Sequence, residues 1–332
     1  MSFVYVVTNG CTIGIEGGNF VISYPDDHTD EIPKQTVQGI SIFGNSQMTT
    51  QCMRFCLGNK INVGFFSQNG TYHGKLTSTD SVNIVRLRKQ FELTGNEEFC
   101  VRMAKRFVKA KIHNQIVVAK RYARKGNYNF EDKFRMMEIA ASKVNFLKGI
   151  PQIMGFEGMA SKMYFQILSG VIKKDFVSAA RSRRPPRDPF NAMLSLGYSL
   201  LTKELCGEIE NCGLCSYAGF MHKDRNKHPA LASDMLEEWR PVIVDSVVMS
   251  LIQGNEILAS DFEYQGKTCL LNEHGLKTFL LKMEKRMNNE MNYLKYINKP
   301  VTFREALWHQ AECMARVVDT KEISSYSPVW IR

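Results

Sequence analysis

The sequence predicts an α+β chain in two domains: an N-terminal all-β sandwich over residues 1–85, a linker at 86–92, and a larger all-α domain over 93–332. Three observations predict it. Short β-branched and aromatic runs separated by Asn-Gly and Gly-Gly turns fill the first part of the chain. After Ser81 the apolar spacing changes to a period of 3.6 and keeps it. Charge changes sign at the same place, with −2 over residues 1–85, +9 over residues 86–125 and +3 over the remaining 207.

The strands come first. Val4-Tyr5-Val6-Val7, Thr12-Ile13-Gly14-Ile15, Asn19-Phe20-Val21-Ile22-Ser23-Tyr24, Gly39-Ile40-Ser41-Ile42-Phe43 and Asn62-Val63-Gly64-Phe65-Phe66 are short enough for a small sandwich or meander. Asn9-Gly10, Gly17-Gly18-Asn19, Asn59-Lys60 and Asn69-Gly70 punctuate them as turns. Thr49 to Leu57 has the propensity for a single interrupting helix.

The helical part opens with an amphipathic stretch. Phe99, Met103, Phe107 and Ala110 mark one face, and Arg102, Lys105, Arg106 and Lys109 another; the basic stripe resumes at Lys120, Arg121, Arg124 and Lys125. A stripe of this kind is either a solvated face or a phosphate-binding one. It has almost no balancing acids, and like charges four residues apart are destabilising, so we read it as a phosphate-binding surface. Gly126-Asn127, Gly149-Ile150-Pro151, Arg184-Pro185-Pro186 and Asn298-Lys299-Pro300 break the helices that follow.

Composition narrows the class. The 332 residues carry a net charge of +10, with 44% hydrophobic and 23% charged residues, which are globular values and exclude a disordered or fibrous chain. No run of about 18 apolar residues exists, so no membrane span is expected. The N-terminus lacks a basic leader and breaks at Asn9-Gly10, unlike a signal peptide. Nine thinly spread cysteines read as reduced thiols of a cytoplasmic protein. Cys212-Gly-Leu-Cys215 has zinc or redox spacing, but no second pair exists to complete a zinc site.

Three segments carry chemistry. In Gly155-Phe156-Glu157-Gly158, small neighbours let a backbone or ligand approach Glu157, which is otherwise a helix-start carboxylate favoured by the dipole. Gly219-Phe220-Met221-His222 precedes a helix, Ala230 to Arg240, on which Asp234, Glu237 and Glu238 fall at i, i+3 and i+4. Carboxylates so placed repel unless a cation sits among them, either Arg240 or Lys223, or a divalent metal. One imidazole with two carboxylates suits Mn²⁺ or Mg²⁺ better than zinc. In the third segment, Arg181, Arg183, Arg184 and Arg187 lie on a loop stiffened by Pro185-Pro186 and Asp188-Pro189, with a helix starting near Phe190. It is either a phosphate clamp or an exposed linker.

Together with Ile42-Phe43-Gly44-Asn45-Ser46-Gln47-Met48-Thr49-Thr50, Ile61 to Ser67 and Gly70-Thr71-Tyr72-His73-Gly74, these segments resemble the CRISPR-associated integrase-nuclease of the adaptation module, the Cas-one family. They occur in that family's order over nearly the whole chain, and the core motifs are intact. One departure lies before the histidine, where Cys212-Gly-Leu-Cys215-Ser216 replaces a Leu-Asp-Pro-like turn. The resemblance implies a β domain that aids homodimer formation and an all-α catalytic domain. It implies Glu157, His222 and Glu237 as ligands of Mn²⁺ or Mg²⁺, Asp234 as a supporting acid and Glu238 as a bystander. It implies metal-dependent transesterification, in which the 3′-hydroxyl of a short DNA fragment attacks the edge of a CRISPR repeat, with a small Cas-two partner bridging two dimers. A transposon-type integrase or a stand-alone nuclease for branched DNA would keep the same site. The basic residues expected to hold DNA are Arg102, Lys105, Arg106, Lys109, Lys120, Arg121, Arg124, Arg181, Arg183, Arg184 and Arg187.

Overall fold

Gly17 and Gly18 both take positive φ (55° and 93°), the pair of angles that a two-residue hairpin loop demands, and so join β2 (Thr12–Glu16) to β3 (Asn19–Ser23). The structure, a computed structural model, describes residues 2–78, 82–124, 128–177 and 185–332. Its chain divides into two compact units, Met1–Ser81 and Val82–Arg332.

In the first unit β2 and β3 join β4 (Thr29–Pro33) and β6 (Gln47–Met48) in the order β4-β3-β2-β6. The second sheet runs β1-β5-β7-β8, formed by Ser2–Val6, Val37–Phe43, Asn62–Phe66 and Tyr72–Leu76. Val4, Val6, Ile40, Ile42 and Val63 of this sheet share one core with Ile13, Phe20 and Ile22 of the other. The sheets are not the antiparallel set that sandwich logic suggests, because β1, β5 and β7 are parallel. A parallel step needs a crossover, which helix α1 (Thr50–Gly58) supplies between β5 and β7. Thr49 caps it by accepting from the Cys52 N–H at 3.3 Å, and its buried Cys52 and Cys56 face the shared core.

The second unit begins with α2 (Ile84–Thr94). Residues 86–92, expected to form a linker, lie inside this helix. Fully buried Gln90 donates to the carbonyls of Cys215 and Ala218, and Arg86 grips the Asp319 carboxylate. A segment tied to partners so distant in sequence has no freedom to act as a linker. Helix α3 (Glu97–Ala123), 27 residues or about 40 Å long, follows. Asn96 caps its start, Glu97 and Glu98 occupy its first turn, and Lys120 and Arg121 its last, all in accord with the helix dipole. It packs against α5 (Ile150–Gly170) and α7 (Ala230–Trp239), and α4 (Glu131–Lys143) lies on α3 and α5.

Helix α6 (Pro189–Asn211) starts where Asp188 caps the Asn191 N–H and Pro189 takes the first helical position. After α7 come a π-helical turn (Pro241–Asp245), α8 (Ser246–Gln253), α9 (Glu273–Met287) and α10 (Phe303–Thr320), which opens with a Thr302–Glu305 capping box. The domain expected to be all-α is largely helical, with two short antiparallel ribbons between its helices among the described residues. They pair β9 (Phe262–Gln265) with β10 (Thr268–Leu271), and β11 (Glu290–Met291) with β12 (Val301–Thr302). Gly266, at φ 62°, makes the first turn possible. The architecture is thus mixed α+β in the predicted order, with a largely helical second part.

Candidate active site

The loop before α7 is built around one carboxylate. Asp234, fully buried, accepts from the backbone N–H groups of Phe220 (2.6 Å), Met221 (2.9 Å) and His222 (2.9 Å), and also binds His222 Nδ1 at 2.7 Å. The loop approaches so closely that a Cβ on Gly219 would lie 2.7 Å from the Ala230 backbone and 2.8 Å from Asp234 Oδ2. With Nδ1–H donated to Asp234, the imidazole presents Nε2 toward Glu237 Oε1, 4.0 Å away. Burial alone would lower the His222 pKa, but the Asp234 bond and the surrounding carboxylates raise it overall.

The other carboxylates come from separate helices. Glu157 sits two turns into α5, not at a helix start as its flanking glycines suggest, and accepts from Ser161 Oγ at 2.8 Å. Among the described residues, an added Cβ at Gly155 or Gly158 would meet no atom within 4 Å apart from α5's own backbone, so this side of α5 has open space beside it. Glu157 and Glu237 converge on the ammonium of Lys111 from α3, which pairs with both and whose side chain is only 7% exposed. Arg240 approaches Glu237 Oε1 at 3.5 Å. Burial alone would raise the Glu237 pKa, but Arg240, Lys111 and His222 bring it down to about 2. Burial likewise opposes the charge on Lys111, and the two glutamates more than offset it, so its pKa is raised.

A further layer fixes Arg240. Its guanidinium lies 4.9 Å from the Tyr198 ring centroid, and the Tyr198 hydroxyl donates to Asp245 Oδ1 at 2.5 Å. Tyr164 from α5 donates to Asp245 Oδ2 at 2.8 Å. The π turn brings Asp245 to this position, its N–H bonding the Arg240 carbonyl five residues back at 3.0 Å.

Asp234, Glu237 and Glu238 do not act as one cluster; each points to a different partner. Glu238, expected to be a bystander, is fully buried and accepts from the Tyr326 hydroxyl and from the Val329 N–H at 2.9 Å. Asn114 on α3 donates to the carbonyls of Glu238 (3.0 Å) and Val329 (3.1 Å) and accepts from Ile331 N–H (3.1 Å). The segment 326–331 therefore ties α7 to α3 directly behind the site. Of the two cations expected among the acids, Arg240 is present beside Glu237, and Lys223 is exposed. Lys111 was not foreseen. Its signal was a lysine at i+4 from Phe107 and i+8 from Met103, on the apolar stripe of an amphipathic helix.

The basic residues meet different fates. Arg102 reaches Glu98 at 4.0 Å and Lys120 pairs with Glu138 at 3.0 Å. Lys105 donates to the Asn145 carbonyl and half-buried Arg106 to that of Tyr326. Lys109 is half-buried, while Arg121, Arg124 and Arg187 are exposed. Arg181, Arg183, Arg184 and Lys125 lie outside the described residues. Cys212 ends α6, and burial pushes its thiol up to about 12, as in an ordinary packed cysteine.

Among the described residues no three His, Cys, Asp or Glu side chains are gathered closely enough to hold a metal ion as they stand. The donor set nonetheless fits a hard divalent cation. Glu237 Oε2 is buried with no hydrogen-bond donor among the described residues beyond its contact with Lys111, and Glu157 supplies a second carboxylate around that same ammonium. His222 is oriented by a carboxylate, as metal-ligating histidines are.

Comparison with known proteins is consistent along the whole chain. The family model described as CRISPR associated protein Cas1 matches residues 4–285. A CRISPR-associated endonuclease Cas1 of Mycobacterium tuberculosis is 31% identical over 318 residues, covering 95% of this chain and 94% of that protein. Among solved structures, a casposase bound to integration product superposes with a TM-score of 0.86 at 23% identity, covering 97% of this chain and 92% of that one. A Cas6-RT-Cas1–Cas2 complex superposes with a TM-score of 0.83 at 23% identity, covering 99% of this chain and 36% of that much longer one. These structural likenesses carry the fold.

Proposed function

The chain belongs to the Cas1 family of CRISPR-associated proteins, and from that premise we propose that it is a metal-dependent DNA endonuclease and integrase. It inserts short foreign DNA fragments into a CRISPR array in prokaryotic antiviral defence, each fragment's 3′-hydroxyl attacking a phosphodiester at the repeat edge. One observation carries the reading: carboxylates from α5 and α7 converge on one buried point, beside an imidazole that a third carboxylate orients.

In this reading Glu157, His222 and Glu237 would hold Mn²⁺ or Mg²⁺, which would supply polarisation of the scissile phosphate and a lowered pKa for the attacking hydroxyl. Asp234 keeps His222 in the tautomer that offers Nε2. Arg240 and Lys111 hold Glu237 ionised, with a pKa of about 2, so it stays an anion throughout the working range. Tyr198 and Asp245 keep Arg240 in place. Arg121, Arg124 and Arg187, exposed to solvent, are suited to the phosphate backbone, together with the other basic residues of the stripe and loop. When water replaces the 3′-hydroxyl, the outcome is strand cleavage.

The proposed partners are DNA, as fragment duplex and as repeat with leader, a second copy of the chain, and a small Cas-two protein bridging two dimers. No helix among the described residues is long and apolar enough to cross a membrane, and a cytoplasmic location is proposed on the free cysteines.

The test is strand transfer of a short duplex with free 3′-hydroxyls into a supercoiled plasmid carrying a repeat, with Mn²⁺ or Mg²⁺. Glu157→Ala, His222→Ala and Glu237→Ala are each expected to abolish product; wild-type yield from any of them removes that residue from the site. Blocking the 3′-hydroxyl should stop insertion and leave hydrolysis. Equal insertion into plasmids with and without the repeat would favour the transposon-type or stand-alone nuclease alternative.

A further inference from the structure

We infer that Lys111 is a resident counter-ion of the site, which a divalent cation displaces from Glu157 and Glu237 on binding. The inference rests on the proposal that these two glutamates hold such an ion. Two features of the structure support it.

The first is charge placement. Glu157 and Glu237 project from different helices into a region where Lys111 is 7% and Glu237 6% exposed. Two anions held so close in a buried setting repel strongly unless a cation stands between them. The Lys111 ammonium is that cation, paired with Oε1 of one and Oε2 of the other. A divalent ion between the same oxygens would face a positive charge a few ångströms away, so its entry requires the ammonium to leave. A lysine suits such an exchange: its charge is compact and its stem flexible, whereas a guanidinium fork locks into fixed bidentate geometry.

The second is a place for the ammonium to go. Gln115 lies at i+4 from Lys111 on α3, one turn along the same face. Among the described residues its Oε1 is buried and without a hydrogen-bond partner, while its Nε2 donates to Ser161 Oγ at 3.2 Å. Ser161 in turn donates to Glu157. A buried acceptor left unmatched is destabilising. Its position beside the lysine offers the displaced ammonium a partner without exposing it to solvent.

The test compares full-length wild type with Lys111→Met and Lys111→Gln, using Mn²⁺ titration by calorimetry and thermal unfolding in EDTA. Both variants are expected to unfold at lower temperature without metal, because the glutamates lose their cation. Both are expected to bind Mn²⁺ at least tenfold more tightly, because the competitor is gone. A lysine that merely props the carboxylates in place would give the opposite sign, with affinity falling alongside stability. Unchanged or weaker Mn²⁺ binding in a folded variant overturns the inference. The glutamine retains a donor for Glu157, so it reports even if the methionine variant does not fold. If neither wild type nor variants bind Mn²⁺, the metal reading itself fails, and the inference with it.

Discussion

Asp234 should be the residue whose loss most directly disables His222 without touching DNA. Truncation to alanine leaves three backbone N–H groups and one imidazole nitrogen without their acceptor, in a loop where Phe220 and Met221 are buried. Each buried donor left unmatched costs about 1–3 kcal/mol. The close packing of Gly219 on Ala230 and Asp234 limits relaxation of the loop. Three backbone donors then set the loss at roughly 3–9 kcal/mol, a large share of an ordinary domain's stability. Asp234→Asn keeps the shape and one acceptor oxygen, and should lose about 1–3 kcal/mol. It should also lower strand transfer by about 10–100-fold, the usual effect of removing a carboxylate that orients a ligating histidine.

Urea unfolding followed by tryptophan fluorescence reads the first quantity, since Trp239 on α7 is fully buried. A pH series reads a second consequence. The folded pKa of His222 is raised, so its charged form stabilises the protein below the ordinary histidine value. That stabilisation disappears as pH rises through the raised folded value, and Asp234→Asn should remove most of it. A loss below about 1 kcal/mol for Asp234→Ala would refute the argument that this carboxylate builds the loop. So would wild-type turnover and pH dependence in Asp234→Asn.

Burial pushes Glu238 up to about 8, so the fold favours its neutral form, and stability should fall as pH rises from the ordinary 4.5 toward 8. Glu238→Gln, which can still accept from Val329 and meet the Tyr326 hydroxyl, should flatten that slope in thermal melts. Tyr326→Phe leaves Glu238 short of a donor and should lower unfolding free energy by about 1–3 kcal/mol, measured by urea denaturation. Arg121→Glu with Arg124→Glu should weaken DNA binding and reduce the slope of log K against log salt by about two. An unchanged slope in a filter-binding or fluorescence series would make that end of α3 a solvated face.

Where chemistry and spacing agree, the sequence was readable. The turn glycines, the helical run from Thr49, the helix start near Phe190 and the period of 3.6 are local signals, and the structure has turns and helices at these places. The convergence of Glu157, His222 and Glu237, proposed above as the site, was legible only through a resemblance that orders them along the chain, since 65 residues separate the first two. Lys111, Tyr198 and Asp245 were not, because each gains its role from partners on other helices. The three acids of α7 were misread as one face. A helical wheel describes an exposed helix, but every residue of α7 is buried, so each side chain finds a partner on a different neighbour. Residues 86–92 were misread for a similar reason, since what holds them in place lies more than 100 residues downstream.

The segment 326–331 has a consequence for how the protein is made. Val329 reaches Glu238 across 91 positions of sequence, and Ile331 reaches Asn114 across 217. Until a growing chain has been translated through these residues, Glu238 lacks both of its side-chain donors, and the packing of α7 on α3 goes without this added tie. Part of what holds the helix that carries Glu237 is therefore a contact of high sequence separation, whose loop-closure entropy must be met before it stabilises anything. The burial of Glu238 is complete only when those downstream residues have emerged.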